Sequence, residues 1–318
     1  MSKRCLYCYQ ELEKETADFH EKCSRKFFGS PEPPLLDYSI EQMQDLAQEI
    51  VTRSVTVTGV QPKLSLELQP PAGDPKRSRL TIVGLWGSFI LKPPTETFPH
   101  LPENEDLTMH LSELFGITTA EHSLIRLRSG ELAYLTKRFD RTEEGKLAME
   151  DMCQLTETLT ADKYRSSMEK VGKYIVKFSD RPGLDAVNFF ETALFCFLTG
   201  NADMHLKNFS LLTTAAGDTI LSPAYDLVCT KVAMPADAEE MALTINARKR
   251  KIGKRDFDSF ADSLKIPARS RDNSYARFSR KIMEAFEWID HSFLPQEMKR
   301  AYKEVVGEHG RKAGIISN

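Results

Sequence analysis

Gly200-Asn201-Ala202-Asp203-Met204-His205-Leu206-Lys207-Asn208-Phe209, with Leu221-Ser222-Pro223-Ala224-Tyr225-Asp226-Leu227 behind it, is the most informative stretch of this 318-residue chain. It follows a run in which Val187, Phe190, Leu194, Phe197 and Leu198 recur at helical spacing and apolar residues occupy the other faces too, which predicts a buried helix. A polar loop closing a helix accounts for any one of Asp203, His205, Lys207 and Asn208. Four such side chains together, followed by Tyr225-Asp226, point instead to a site for a metal ion and a phosphate. A zinc or iron site at His205 with Asp203 is the lesser alternative, because His or Cys partners are scarce nearby.

Phosphoryl transfer needs a carboxylate to take the proton of an attacking hydroxyl, and an amide oxygen plus a second carboxylate to hold Mg²⁺ on nucleotide phosphates. Asp203, Asn208 and Asp226 are residues of those types. The five positions from Asp203 to Asn208 equal the Asp-to-Asn separation of the catalytic loop H-R-D-L-x-x-x-N.

Upstream, Phe89-Ile90-Leu91-Lys92 reads as a strand stopped by Pro93-Pro94, and Lys92 at its end suits nucleotide phosphates. Val55 and Val57, then Leu64, Leu66 and Leu68, alternate with polar residues as strands do. Between them Thr58-Gly59-Val60-Gln61-Pro62-Lys63 is either a loop over the phosphates or a plain hairpin turn. A helix is predicted from Ile40 to Ile50, another through Leu107, Leu111, Leu114 and Phe115 closed by Gly116, and a strand over Ala133 to Phe139. A sheet-rich first half and a helical second half imply an α+β protein of two lobes. The division read from the sequence is 1–34 for a zinc-binding extension and linker, 35–140 for an N-lobe with the nucleotide-binding loop, and 141–318 for a mainly helical C-lobe. Net charge is −3 and hydrophobic residues make up 41%, so bulk attraction to nucleic acid or membrane is not implied. No apolar run reaches the ~20 residues of a membrane span, and a cytoplasmic protein is expected. The basic stretch Arg248-Lys249-Arg250-Lys251 with Lys254-Arg255 follows an alternating run, Met241 to Ile245, and reads as a solvated turn or hairpin rather than a nucleic-acid surface.

Three of the six cysteines lie within the first 23 residues. Cys5, Cys8, His20 and Cys23 form C-x2-C followed by H-x2-C, the donor set of a tetrahedral structural zinc site. Tyr9 to Phe19 between the pairs is mostly polar, so metal is expected to supply its order. Free thiols and a surface histidine are the alternative.

With these motifs in order the chain resembles the HipA family of bacterial toxin kinases. The resemblance rests on Gly59-Val60-Gln61-Pro62-Lys63, Phe89-Ile90-Leu91-Lys92-Pro93, Arg138-Phe139-Asp140-Arg141, Glu150-Asp151-Met152-Cys153-Gln154, Asp203-Met204-His205-Leu206-Lys207-Asn208 and Pro223-Ala224-Tyr225-Asp226, over about residues 50 to 310. It implies a bilobal protein-kinase-like fold and Ser/Thr protein phosphorylation from ATP with Mg²⁺. By resemblance Asp203 is the catalytic base, Asn208 and Asp226 are Mg²⁺ ligands and Lys92 contacts phosphate. Thr58 to Lys63 cover the nucleotide, Lys137, Arg138 and Phe139 form the adenine hinge, and His205, Leu206, Lys207, Asn208 and Tyr225 complete the pocket.

The resemblance also implies autophosphorylation just before the loop glycine, where Ser54, Thr56 and Thr58 are the candidates. Threonines largely replace the family's serines there. The chain is too short for the additional N-terminal subdomain of full-length members and looks like the split form, HipT, whose missing subdomain is a separate small protein. The partners implied are that HipS-like protein, a helix-turn-helix antitoxin, DNA only through the antitoxin, and a protein substrate. Known targets in the family include aminoacyl-tRNA synthetases. A nucleotide-binding but inactive scaffold in a repressor complex, and a small-molecule or lipid kinase, are the alternatives to a protein kinase.

Overall fold

Leu64 and Leu66 are buried while Ser65 between them and Glu67 after them are only half so, the alternation of a strand with one face on a core. A computed structural model describes residues 3–13, 17–53, 62–69, 78–83 and 86–317, with the backbone alone for 47–53. Val55, Val57 and the loop from Thr58 to Gln61 lie outside the described residues, as do Ser54 and Thr56. The chain divides into two compact units: Met1–Asp106 with Ala120–Phe139 and His291–Phe293, and Leu107–Thr119 with Asp140–Asp290 and Leu294–Asn318.

In the first unit, β1 (Leu64–Gln69), β2 (Arg79–Ile82), β3 (Phe89–Lys92), β4 (His122–Arg126) and β5 (Leu132–Lys137) form one antiparallel sheet in the order β2-β1-β3-β5-β4. The register sets Lys92 opposite Tyr134. Helices α1 (Glu21–Phe28) and α2 (Ile40–Arg53) precede the sheet. The N-terminal segment shares the sheet's core: Cys5, Leu6, Phe19, Cys23, Phe27 and Phe28 are buried in one cluster with Leu64, Leu66, Phe89, Leu91 and Leu135. That burial exceeds what the polar Tyr9–Phe19 stretch led one to expect, because apolar residues at its margins, joined by Leu12 within it, pack into the cluster.

Helix α3 (Leu101–Leu114) starts six residues before the first apolar position used to predict it. Its opening turns, Glu103-Asn104-Glu105-Asp106, are buried despite their polarity. Gly116, in the left-handed region at φ 84°, closes the segment through a bond from its N–H to the Glu113 carbonyl.

The second unit is mainly helical. It holds α4 (Met152–Leu155), α5 (Met168–Phe178), α6 (Pro182–Leu198), α7 (Thr230–Ala233), α8 (Lys254–Ser263), α9 (Ala268–His291) and α10 (Gln296–Lys312). Two small antiparallel sheets, β6 (Arg141–Thr142) with β7 (Gly145–Lys146), and β8 (Met149–Asp151) with β9 (Ser210–Thr213) and β10 (Thr219–Leu221), complete it. Every residue of α6 from Phe189 to Leu198 is buried, as its all-round apolar sequence predicts. Met241–Lys254 forms no strands; its hairpin is reduced to one bridge, Ile245 with Arg248, through left-handed Asn246 and Ala247. Arg248, Lys249 and Lys254 face Asp256, Glu239 and Asp258, so acidic neighbours offset this basic stretch.

His309 on α10 stacks on Phe197 at 4.7 Å and bonds through Nδ1 to the Phe197 carbonyl at 2.5 Å. Burial holds its pKa below the usual 6.5, so the imidazole is neutral at pH 7. The unfolded chain therefore binds the extra proton first as pH falls below about 6.5, and stability is full above that pH and declines below it. Melting curves at pH 7.5 and 5.5 should show a smaller acid loss for His309→Gln, which keeps a donor without titrating. Equal losses in the two proteins would exclude this role.

Candidate active site

Helix α6 ends where Thr199 and Gly200 turn the chain, Gly200 at φ 65° with its N–H on the Phe197 carbonyl. A side chain at this position would also press on Val305 and Lys231, so both backbone and space favour glycine. The turn delivers the loop 201–208 from a rigid, buried helix. Within it Thr230 Oγ1 donates to the Gly200 carbonyl and accepts from the Ala202 N–H, each at 2.9 Å. The Asn201 side chain accepts from the Asp203 N–H at 3.1 Å. Asp203 is thus held at the backbone while its side chain stays half-buried.

Asp203 Oδ1 accepts a 2.6 Å hydrogen bond from the Tyr164 hydroxyl. Tyr164 stands edge-on to His205, ring centroids 5.0 Å apart. Burial, then the Asp203 carboxylate, raises the Tyr164 pKa, so the phenol stays protonated and donates. Burial lowers the His205 pKa against the pull of Asp203, which keeps that ring neutral.

A single 3₁₀ turn, Leu206–Asn208, then presents Asn208 to Asp226: Asn208 Nδ2 donates to Asp226 Oδ2 at 3.1 Å. Asn208 Oδ1 is buried without a hydrogen-bond partner among the described residues. An orphaned amide oxygen beside a carboxylate is a hard-oxygen donor pair, and this fits Mg²⁺. Asp226 itself sits at φ 61°, a left-handed conformation that costs a non-glycine residue about 1–3 kcal/mol and concentrates at functional positions.

The flanks of the loop are pinned as well. Lys207 pairs with Asp151 at 2.8 Å, and Asp151 caps α4 in a reciprocal box with Gln154. Tyr225 Oη donates to the Lys207 carbonyl at 2.9 Å and lies 2.6 Å from Ser210 Oγ. Leu206 is buried.

In the first unit the geometry centres on Lys92. Its Nζ meets Glu105 Oε1 at 2.5 Å, both side chains no more than 4% exposed, and lies 5.4 Å from the centre of the Tyr134 ring. Lys137, at the end of β5, bonds Glu121 at 2.6 Å and lies 5.2 Å from the Phe27 ring centre. The Arg138 N–H donates to the Ser88 carbonyl at 2.9 Å and Phe139 follows it. Pro62 and exposed Lys63 lead into β1.

The structure thus brings Asp203, His205, Leu206, Lys207, Asn208, Tyr225 and Asp226 together in one unit. Among the residues it adds are Glu105 and Tyr164. Glu105 lies in an acidic run ordinarily read as a solvated helix start, and nothing near Tyr164 in sequence marks it. Cys5, Cys8, His20 and Cys23 gather with all four donor atoms within 4.8 Å of one another.

Among known proteins, the family described as HipA-like C-terminal domain matches residues 55–287. A protein of Sinorhizobium fredii named "Putative kinase Y4dM" is 33% identical over 249 residues, 74% of this chain and 58% of that protein. The serine/threonine-protein kinase toxin HipA of Shewanella oneidensis is 29% identical over 255 residues, 73% of this chain and 56% of its own length. The chain thus spans 56–58% of the length of these curated relatives. The solved structure of Shewanella oneidensis MR-1 HipA, in a complex with HipB and its operator DNA, superimposes with a TM-score of 0.66 at 23% identity, covering 84% of this chain and 71% of that one. The mixed helix-and-sheet architecture is that of the HipA-like, kinase-like fold.

Proposed function

Because this chain belongs to the family of the HipA-like C-terminal domain, we propose that it is an ATP- and Mg²⁺-dependent Ser/Thr protein kinase of the toxin type. The observation that carries the reading is the orphaned Asn208 Oδ1 beside the Asp226 carboxylate, with the Asp203 carboxylate five residues upstream of Asn208. Bound Mg²⁺ would neutralise charge on the nucleotide phosphates. Asn208 and Asp226 would hold it, Asp203 would accept the proton of the attacking hydroxyl, and Lys92, held by Glu105, would meet the phosphates. Lys137 to Phe139, His205 to Asn208 and Tyr225 would line the nucleotide, with Thr58 to Lys63 closing over it.

Ser54, Thr56 and Thr58 precede Gly59 and would be the sites of self-inactivation. A phosphate there adds about −1.5 to −2 charges, which disfavours a closed loop beside the phosphates of ATP. A DNA-binding antitoxin and a separate small subdomain partner would complete the system. The antitoxin part is supported by the toxin name of the Shewanella relative and by the HipA, HipB and operator complex. The target would be a protein, with aminoacyl-tRNA synthetases the first to screen.

The test is the intact mass of phosphatase-treated protein before and after MgATP. Gain of one or more phosphates, mapped to Ser54, Thr56 or Thr58, is expected. Nucleotide binding with no transfer, to the chain or to a panel of candidate proteins with the partners present, would replace this reading with an inactive scaffold.

A further inference from the structure

The N-terminal Cys/His cluster has the dimensions of a filled zinc site and is wired to the helix that carries Glu105. Cys8 Sγ and Cys23 Sγ lie 3.4 and 3.8 Å from His20 Nδ1. With Zn–S near 2.3 Å and Zn–N near 2.0–2.1 Å, a tetrahedral ion separates sulfur and nitrogen ligands by about 3.6 Å, so the spacing already suits the metal. The imidazole is also oriented for it. His20 Nε2 bonds the Glu11 carbonyl at 2.9 Å, which fixes the proton on Nε2 and leaves the Nδ1 lone pair directed at the three sulfurs.

Tyr9, the residue after the second cysteine, stands at φ 60°, where glycine is the comfortable choice. Its retention there is explained by its side chain: 1% exposed, edge-on to Phe293 at 5.0 Å, with the hydroxyl donating to Asp106 Oδ2 at 2.7 Å. The other oxygen of Asp106 takes His122 Nδ1 at 2.7 Å, and His122 stacks on Tyr134, the ring beside the Lys92 ammonium. Asp106 is the neighbour of Glu105 in α3.

We propose that Cys5, Cys8, His20 and Cys23 bind one zinc ion, and that the knuckle it closes is a brace which, through Tyr9 and Asp106, holds the start of α3 so that Glu105 meets Lys92. Binding displaces the three thiol protons and involves no redox change. The brace stands whether or not phosphoryl transfer is the activity, and its test is read without nucleotide.

Metal content of the purified chain, release of zinc on mercurial titration of the thiols, and the visible spectrum after cobalt exchange should report one tetrahedral site rich in thiolate. Cys8→Ser should lose it. Because that variant risks misfolding, Tyr9→Phe carries the second half: it keeps one zinc per chain, while hydrogen exchange of the amides at 101–106 accelerates about tenfold, as expected for a lost bond to a charged group. Zinc removal should accelerate the same amides in the wild type. Absence of bound metal, or iron in its place, would overturn the site. Unchanged exchange at 101–106 in Tyr9→Phe would overturn the brace.

Discussion

Asp203→Asn is expected to lower phosphoryl transfer about 10²–10⁴-fold, the usual contribution of a positioned general base, while leaving MgATP binding nearly unchanged. The two side chains have the same shape, and the amide oxygen can still accept from Tyr164, whose hydroxyl now bonds Asp203 at 2.6 Å. The backbone of the loop is fixed independently by Asn201 and Thr230. The substitution therefore removes proton acceptance and little else. Side-by-side transfer assays and nucleotide titrations of the two proteins check this. Turnover within tenfold of wild type would reassign the base, and loss of nucleotide binding would make Asp203 a binding residue instead.

The Lys92–Glu105 pair should show the largest effect on stability. Both groups are buried, so Glu105→Ala takes away a carboxylate that meets a buried cation of the first unit, and breaking a buried pair from one side costs about 3–5 kcal/mol. At about 2–4 °C per kcal/mol for a domain of this class, melting should fall by roughly 10 °C. Replacing the pair with apolar side chains, Lys92→Met with Glu105→Leu, should recover most of that stability, because the desolvation cost disappears with the charges. It should not recover transfer. Thermal melts and transfer assays on the single and double variants separate the two roles. A double variant with wild-type transfer would remove Lys92 from the phosphate site, and one no more stable than Glu105→Ala would show that the pair is not a simple buried couple.

The elements most legible in the sequence were those whose pattern is local. β1 and β3 show in the alternation and apolar runs of Leu64–Leu68 and Phe89–Lys92, and α6 in its continuous apolar surface. The candidate site was legible for a related reason. Asp203, His205, Lys207 and Asn208 lie within six consecutive positions, so a short loop necessarily keeps them near one another. The start of α3 was missed because Glu103-Asn104-Glu105-Asp106 resembles a solvated helix end. The turn read at Met241–Lys254 is present as a two-residue connection, left-handed Asn246 and Ala247 joining Ile245 to Arg248 in one antiparallel bridge, but the pairing does not extend into strands.

The sequence by itself determined the apolar periods, the polar loop after a buried helix and the two metal-spaced Cys/His pairs, since each depends on neighbours a few residues away. The tertiary structure alone decided which charges are buried and what they meet. Glu105 reaches Lys92 across 13 residues, Tyr164 reaches Asp203 across 39, and Tyr9 reaches Asp106 across 97. Whether a carboxylate is solvated or paired depends on which groups the fold brings within about 3 Å of it, and no local pattern carries that information.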